Sequence, residues 1–321
     1  MPLFSVIVPV YNASKSIERC VNSICESGQE DVEIILVDDC STDDSHAKCL
    51  ELGTRYSQVR VFKNQENKGV SHTRNVAIAN SIGKYLLFVD SDDYVAKEYV
   101  PIFRVLIEKG VQFAVCGYKN HDELHAGMCT EVVWGQEETC NLREIIESLH
   151  KKTLLQQLWN KVFVAKKVKE NNVRFDESIN IGEDTRFILD YILQNDVREI
   201  ACINQALYHY MRDNNGSLMY KVGYESVEEP LKNLRKMYQI MGLHTDEIED
   251  RIEKERNNIV NGYAYLIMHN VGMKMREKKR LIYNLDQEKA AIVYRQQKKI
   301  YCKEHIAILL KKIGFIKKRG E

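Results

Sequence analysis

Tyr85-Leu86-Leu87-Phe88-Val89-Asp90-Ser91-Asp92-Asp93 is an apolar run of five residues that ends on three carboxylates in four positions. Such a run reads as a buried strand, and its acidic tail then stands at the carboxyl end, where open α/β sheets collect ligands. Carboxylates crowded there repel one another unless a cation, a hydrogen-bonding ligand or solvent intervenes. Hard oxygen donors of this kind suit Mg²⁺ or Mn²⁺ carrying a phosphorylated substrate. A solvated acidic turn is the plainer alternative, and the flanking sequence has to decide between them.

Upstream, Phe4-Ser5-Val6-Ile7-Val8-Pro9-Val10 has the continuous β-branched character of a central parallel strand. Ile17, Cys20, Val21 and Ile24 follow at helical spacing up to Gly28. A second strand, Val32-Glu33-Ile34-Ile35-Leu36-Val37, again ends on acids, Asp38-Asp39. A helix over 43–56, the strand Val59-Arg60-Val61-Phe62 and a helix carrying Arg74, Asn75 and Ala79 lead back to the opening stretch. Four strand and helix alternations predict an α/β fold, Rossmann-like, with a mostly parallel central sheet flanked by helices. Neither G-x-G-x-x-G after the first strand nor G-x-x-x-x-G-K-[ST] occurs, so recognition of phosphate through carboxylate-bound metal is the remaining option.

Beyond this half, a helix over 97–109, the strand Gln112-Phe113-Ala114-Val115-Cys116 and a polar hairpin or edge strand around Thr130 to Trp134 are expected. Glu183-Asp184 open a helix with Phe187, Ile188, Tyr191 and Ile192, so both carboxylates stand in its first turn. Two strands are expected at 197–203 and 206–210. Strand signals stop after about residue 220, giving a catalytic domain over 1–220 and a helical C-terminal region over 221–321.

Composition sets the remaining bounds. With 321 residues and 44% hydrophobic content the chain can bury a substantial core, and its 46 basic and 46 acidic residues leave no net charge to select a partner. Nine cysteines without a C-x-x-C pair fit reduced thiols in a cytosolic protein. No basic leader precedes the first strand and no apolar run reaches the roughly 18 residues of a membrane span, so neither a secretory leader nor a spanning helix is expected. His121 and His125 lack the glutamate of a zinc-protease helix. Arg295 to Arg319 carries nine basic residues against Glu304, which suits either a solvated helix face or an anionic membrane surface. Nucleic acid is not an expected partner, because no aromatic interleaving accompanies that charge.

Taken in order, Val8-Pro9-Val10-Tyr11-Asn12, Val37-Asp38-Asp39-Cys40-Ser41-Thr42-Asp43, Asn67-Lys68-Gly69 with Arg74-Asn75, Phe88-Val89-Asp90-Ser91-Asp92-Asp93 and Gly182-Glu183-Asp184 resemble the motifs of family 2 glycosyltransferases. The resemblance covers residues 3 to about 217 and implies the GT-A fold, a nucleotide-sugar donor such as a UDP-sugar, and inverting transfer in surface polysaccharide assembly. It gives Pro9, Tyr11 and Asp39 to the base, with Arg74 lining the same pocket. Asp90 is given to the ribose or the metal shell, with Ser91 beside it, and Asp92 to the metal. Asp184 is similar to the family's catalytic base, with Glu183 positioning the acceptor or a neighbouring loop. His209, Arg212 and Ser217 resemble residues that meet the metal or diphosphate. Cys40 stands where the family usually has glycine, and Trp159-Asn160-Lys161 reads as a buried tryptophan beside a rim lysine.

Transfer of a sugar leaves a diphosphate, whose charge a divalent cation would neutralise, and the attacking hydroxyl must lose its proton to a carboxylate. A helix N-terminus is expected to keep Asp184 ionised for that purpose. The implied acceptor is a glycan or a lipid-linked hydroxyl, and the expected location is the cytoplasm, peripherally at the membrane. Two alternatives remain open: a sugar-phosphate nucleotidyltransferase, for which residues 9–16 lack the required glycine-rich basic loop, and a catalytically silent glycan-binding or scaffold protein on the same fold.

Overall fold

The computed structural model describes residues 1–28, 31–122, 128–212, 225–269, 273–286 and 290–312, and side chains among these except at 122, 128, 212, 225, 226 and from 303 onward. The chain divides into two compact units, Met1–Ser217 with Ile240–Gly242, and Leu218–Gln239 with Leu243–Glu321.

The first unit is built as strand-helix alternation until the acidic stretch. Strands β1 (Phe4–Val10), β2 (Val32–Asp38), β3 (Val59–Lys63) and β4 (Tyr85–Phe88) alternate with helices α1 (Ile17–Ser27), α2 (Ser45–Arg55) and α3 (Val70–Asn80). They pair in parallel in the order β3-β2-β1-β4, with Val10 opposite Asp38 and Ile7 opposite Phe88. Strand order therefore reverses between β1 and β4, the position at which doubly wound sheets open a crevice beyond their carboxyl ends. β1 and β2 are buried along nearly their whole length, which explains their uninterrupted apolar runs.

The sheet then changes character. β9 (Lys161–Val164) lies between β4 and β6 (Ala114–Asp122) and is antiparallel to both. β10 (Glu199–Arg212) runs parallel to β6 and antiparallel to the short β5 (Tyr94–Val95). β7 (Met128–Val132) and β8 (Glu138–Asn141) pair at β6 and β10. The two strands expected at 197–203 and 206–210 are one strand, β10, whose register shifts between Cys202 and Tyr208. An irregularity of this sort interrupts the alternation pattern without ending the strand.

Helices α4 (Tyr99–Glu108), α5 (Leu142–Lys151), α6 (Ala165–Glu170) and α7 (Glu183–Gln194) complete this unit. Aromatic packing fixes α7: Phe187 stacks on Phe175 with ring centroids 4.3 Å apart and meets Phe88 and Phe163 edge-on at 5.8 and 5.5 Å. The helix start is set by Gly182 at φ +80, a left-handed conformation that glycine adopts freely. The second unit contains α9 (Thr245–His269), α10 (Met275–Leu285) and α11 (Ala290–Lys312), whose inward residues include Ile252, Val260, Ala264, Ile282 and Leu285; α8 (Glu225–Met241) precedes them in the chain. Among the described residues no helix is long and apolar enough to cross a membrane. Residues 313–321 of the basic stretch lie outside the described residues. All nine cysteines are free thiols.

Candidate active site

Three adjacent strand ends build the rim. β1 delivers Pro9 and Tyr11, β2 delivers Asp39, and β4 delivers Asp90, Ser91 and Asp92. Backbone bonds lock the ends together, with Asp39 N donating to Val10 O at 2.8 Å and Val89 N to Ile7 O at 3.0 Å. Side chains of the β2–α2 loop continue the stitching: Asn12 Oδ1 accepts from Thr42 N at 2.9 Å, and Ser41 and Ser45 hydroxyls accept from the Asn12 and Ala13 amides. Tyr11 is 49% exposed, so its ring is open to a stacking partner. Cys40 sits at φ +58. The backbone thus keeps the left-handed turn that glycine would favour, and the thiol is accommodated without changing it.

Asp39 is buried and already occupied. Its carboxylate accepts from Asn64 Nδ2 at 2.8 Å, from Lys68 N at 3.0 Å and from Gly69 N at 2.8 Å. Gly69 is the residue before α3, so Asp39 fixes the turn that leads into that helix. A carboxylate has about four lone-pair sites, which leaves one for a ligand N–H.

Helix α3 carries the central group. Arg74 is buried, and its guanidinium lies 2.7 Å from Asp184 Oδ1, 2.9 Å from Asp90 Oδ1 and 3.9 Å from Glu183 Oε1. One cation therefore joins the donor rim to the start of α7. Its position over the Phe175 ring, 5.3 Å from the centroid, adds a cation–π contact, while its Nε has no partner among the described atoms. The acids beside it push the Arg74 guanidinium above its ordinary value in spite of burial.

Asp184 differs from the expectation of a helix-end carboxylate held low. Burial pushes it up to about 7, with the Glu183 and Asp90 charges adding to the rise and Arg74 and Lys161 opposing it. Desolvation outweighs the helix dipole although 22% of the side chain remains exposed, because neighbouring elements surround the carboxyl.

The third carboxyl of the opening stretch belongs to the fold. Asp93 is fully buried and accepts from Tyr208 Oη at 2.7 Å and from Met211 N at 2.7 Å. Burial first, then the Asp90 and Asp92 charges, pushes it up to about 9. Tyr208 also accepts from Asp90 N at 3.0 Å and stacks on Trp159 at 4.0 Å, which ties β10 to the acidic turn. Asp92 is exposed, and its carbonyl accepts from Arg19 Nη2 at 2.5 Å.

His209 packs among other rings. Its Nδ1 meets His121 Nε2 at 2.9 Å and its ring stacks on Tyr94 at 4.2 Å. Burial, then His121 and Lys119, lowers it to about 4, so the imidazole is neutral. Among the described residues no three His, Cys, Asp or Glu side chains form a group that could hold a metal unaided. The donor set nonetheless fits a Mg²⁺-type ion, which is commonly held by one or two carboxylates together with substrate phosphates. The Arg212 side chain, Ser217 and His125 lie outside the described residues.

Lys161 departs from its sequence reading. It is fully buried, and its ammonium donates to Leu154 O, Gln157 O and Asn160 Oδ1 at 2.6, 2.5 and 2.6 Å. Burial lowers it to about 7. Lys161 lies inside β9 rather than on the rim, near enough to Asp184 for the two charges to interact, and three acceptors make its burial tolerable. Tyr208 and Arg19 are contributors that sequence reasoning missed. Asp93 and Asn75 stand within the stretches that it singled out, but without the roles seen here.

Comparison with known proteins places this geometry. The family described as "Glycosyl transferase family 2" matches residues 5–126. The uncharacterized glycosyltransferase EpsJ of Bacillus subtilis is 30% identical over 245 residues, covering 74% of this chain and 68% of that protein. The poly(ribitol-phosphate) beta-N-acetylglucosaminyltransferase TarS of Staphylococcus aureus is 28% identical over 265 residues, 77% of this chain but 41% of that protein. Among solved structures, S. aureus TarS 1–349 in complex with UDP-GlcNAc aligns with a TM-score of 0.65 at 22% identity, covering 95% of this chain and 92% of that one. The mannosyltransferase PcManGT from Pyrobaculum calidifontis, in complex with GDP-Man and Mn²⁺, aligns at 0.56 with 14% identity, covering 98% and 88%. The architecture is thus GT-A, with its sheet flanked by helices and followed by a helical region, and the chain is a glycosyltransferase belonging to family 2.

Proposed function

We propose that the protein transfers a sugar from a UDP-sugar to a hydroxyl of a glycan or lipid-linked acceptor, with inversion at the anomeric carbon. The observation that carries this reading is the Arg74 bridge, which joins Asp184 to Asp90 at the rim and supports giving Asp184 the acceptor's proton. The uridine base stacks on Tyr11 beside Pro9 and offers its ring N–H to the remaining lone pair of Asp39. Asp92, with Asp90 and Ser91 beside it, faces the ribose and diphosphate. A divalent cation, Mn²⁺ or Mg²⁺, would be held there by Asp92 and Asp90 and would supply charge neutralisation for the departing diphosphate. His209, kept neutral beside His121, is a further candidate ligand.

The acceptor hydroxyl approaches from the α7 side. Its oxygen bonds to the anomeric carbon as the bond from that carbon to the diphosphate oxygen breaks, and its proton passes to Asp184. A carboxyl poised near 7 is better matched to that transfer at neutral pH than an ordinary aspartate. Glu183, 3.9 Å from the same guanidinium, is placed to orient the acceptor. Arg74 holds Asp184 in place before attack and Asp90 throughout.

Surface polysaccharide or teichoic-acid assembly is the proposed setting, supported by the relatives EpsJ and TarS. The reading places this work in the cytoplasm, with the basic α11 region against an anionic membrane surface. The test is a panel of UDP- and GDP-sugars assayed for nucleoside diphosphate release with Mn²⁺, Mg²⁺ or chelator, with polyol-phosphate and lipid-linked acceptors. Release from a UDP-sugar that depends on metal and acceptor is expected. Turnover indifferent to chelator would remove the proposed role of Asp92.

A further inference from the structure

Next to Arg74, the Asn75 side chain is buried and makes three hydrogen bonds to a loop one hundred residues away. Its Oδ1 accepts from Phe175 N at 3.0 Å, and its Nδ2 donates to Phe175 O at 2.9 Å and to Glu177 Oε1 at 3.0 Å. The side-chain amide therefore pairs with the Phe175 backbone as a neighbouring strand would, satisfying both its donor and its acceptor. His72, one turn earlier on α3, holds the other Glu177 oxygen at 2.9 Å.

The consequence lies in what Phe175 touches. Its ring stacks on Phe187 at 4.3 Å with only 7° between planes, and Phe187 stands one turn along α7 from Glu183-Asp184. The stretch between is itself fixed, since Asp176 Oδ1 accepts from Ser178 N at 2.9 Å and from the Ser178 hydroxyl at 2.6 Å. Helix α3 thus grips α7 by two arms. Arg74 takes the Asp184 carboxylate directly, and Asn75 sets the height and angle of the helix that presents it.

We infer that Asn75 is a positioning residue for transfer: through the Phe175 backbone and the Phe175–Phe187 stack it fixes Asp184 relative to the donor rim, without touching donor or acceptor. This rests on Asp184 being the base. Without the Asn75 bonds the start of α7 rests on Arg74 and on the edge contacts of Phe187 with Phe88 and Phe163, with Phe175 no longer pinned beneath it, and misplacement by about 1 Å costs roughly a hundredfold in rate. A role confined to holding the loop together would instead lower folding stability and every activity in common.

The experiment compares wild type, Asn75→Ala, Asp184→Asn and the double variant. UDP binding is measured by calorimetry, and kcat by UDP release from the UDP-sugar that the wild-type protein turns over fastest. Asn75→Ala is expected to lower kcat by roughly tenfold to a hundredfold while the Kd for UDP stays within about twofold. In the Asp184→Asn background it is expected to add less than about twofold, because the group it positions is gone. Asn75→Asp combined with Glu177→Gln, which keeps the bond from Phe175 N while removing the carboxylate that would otherwise repel the new one, provides a near-isosteric check if the alanine variant folds poorly. It is expected to show an intermediate kcat loss with unchanged UDP binding. An equal fall in both backgrounds, a parallel loss of UDP binding, or an unchanged kcat overturns the inference. Normal transfer by Asp184→Asn overturns the base assignment itself, whereas a dead Asp184→Asn beside a fully active Asn75→Ala overturns this inference alone.

Discussion

Arg74 Nη1 lies 2.7 Å from Asp184 Oδ1, joining residues 110 positions apart through one ion pair whose arginine is buried and whose aspartate is partly exposed. Burying the guanidinium is costly, and taking away one of its acids is costlier. Its other nitrogen reaches Asp90 at 2.9 Å, so the arginine works as a planar bridge between two acids rather than as a point charge.

Arg74→Lys is accordingly not a conservative change. A single ammonium cannot hold Asp90 and Asp184 in the geometry of the guanidinium fork. Turnover should fall by roughly a hundredfold through misplacement of Asp184. Stability should fall by about 1 kcal/mol as one partly exposed acid loses its partner. Diphosphate release and thermal unfolding of the same preparation measure the two effects.

The pH dependence follows from Asp184. Its carboxyl is pushed up to about 7, so it carries its proton below that value and accepts one above it. A base must be ionised, so kcat/KM should rise as pH increases through about 7 and be lost as pH falls below it. An ordinary aspartate would place that limb near 4. A profile flat from 5 to 8 would separate Asp184 from the rate.

Cys40 makes a prediction about stability. At φ +58 a side chain costs about 1 kcal/mol that glycine does not incur. Its thiol returns little, since a thiol is a weak donor and its bond to Gln65 O, at 3.7 Å, is exposed. Cys40→Gly should equal or exceed the wild type in stability by up to about 1 kcal/mol, and Cys40→Val should be less stable than either, because a β-branched side chain is disfavoured most there. Chemical denaturation of the three proteins ranks them.

Tyr208 supplies a fourth. Its hydroxyl joins the Asp90 amide to the buried Asp93 carboxyl, and Tyr208→Phe would leave both without that partner. A loss of about 1–3 kcal/mol in unfolding free energy is expected. UDP binding should weaken with it, as the acidic turn loosens against β10. Unchanged stability would mean that the turn is held by its other contacts.

Much of this was legible in the residues. The runs Phe4 to Val10 and Val32 to Val37 read directly as central strands because both faces of those strands are buried. Asp39, Asp90 and Asp92 fall on one rim, as the strand order requires. What escaped was set by partners distant in sequence. Lys161 looks like a surface residue until β9 is found between β4 and β6, with three acceptors around the ammonium. Asp93 looks like a third ligand until Tyr208 and Met211, more than a hundred residues later, are seen to take its oxygens. The helix-end argument for Asp184 pointed the wrong way because nothing local records desolvation by neighbouring elements. Asn75 is part of the Arg74-Asn75 motif, but nothing near it in sequence records its partner, Phe175, one hundred residues on.

The central claim is that Asp184 takes the acceptor's proton, and Asp184→Asn tests it most directly. The amide keeps the size and one acceptor oxygen for Arg74 but cannot act as a base at neutral pH. UDP binding measured by calorimetry should remain within a few fold of wild type, while sugar transfer at saturating donor falls by at least about 100-fold. Transfer at the wild-type rate by a variant that binds UDP normally would contradict the account.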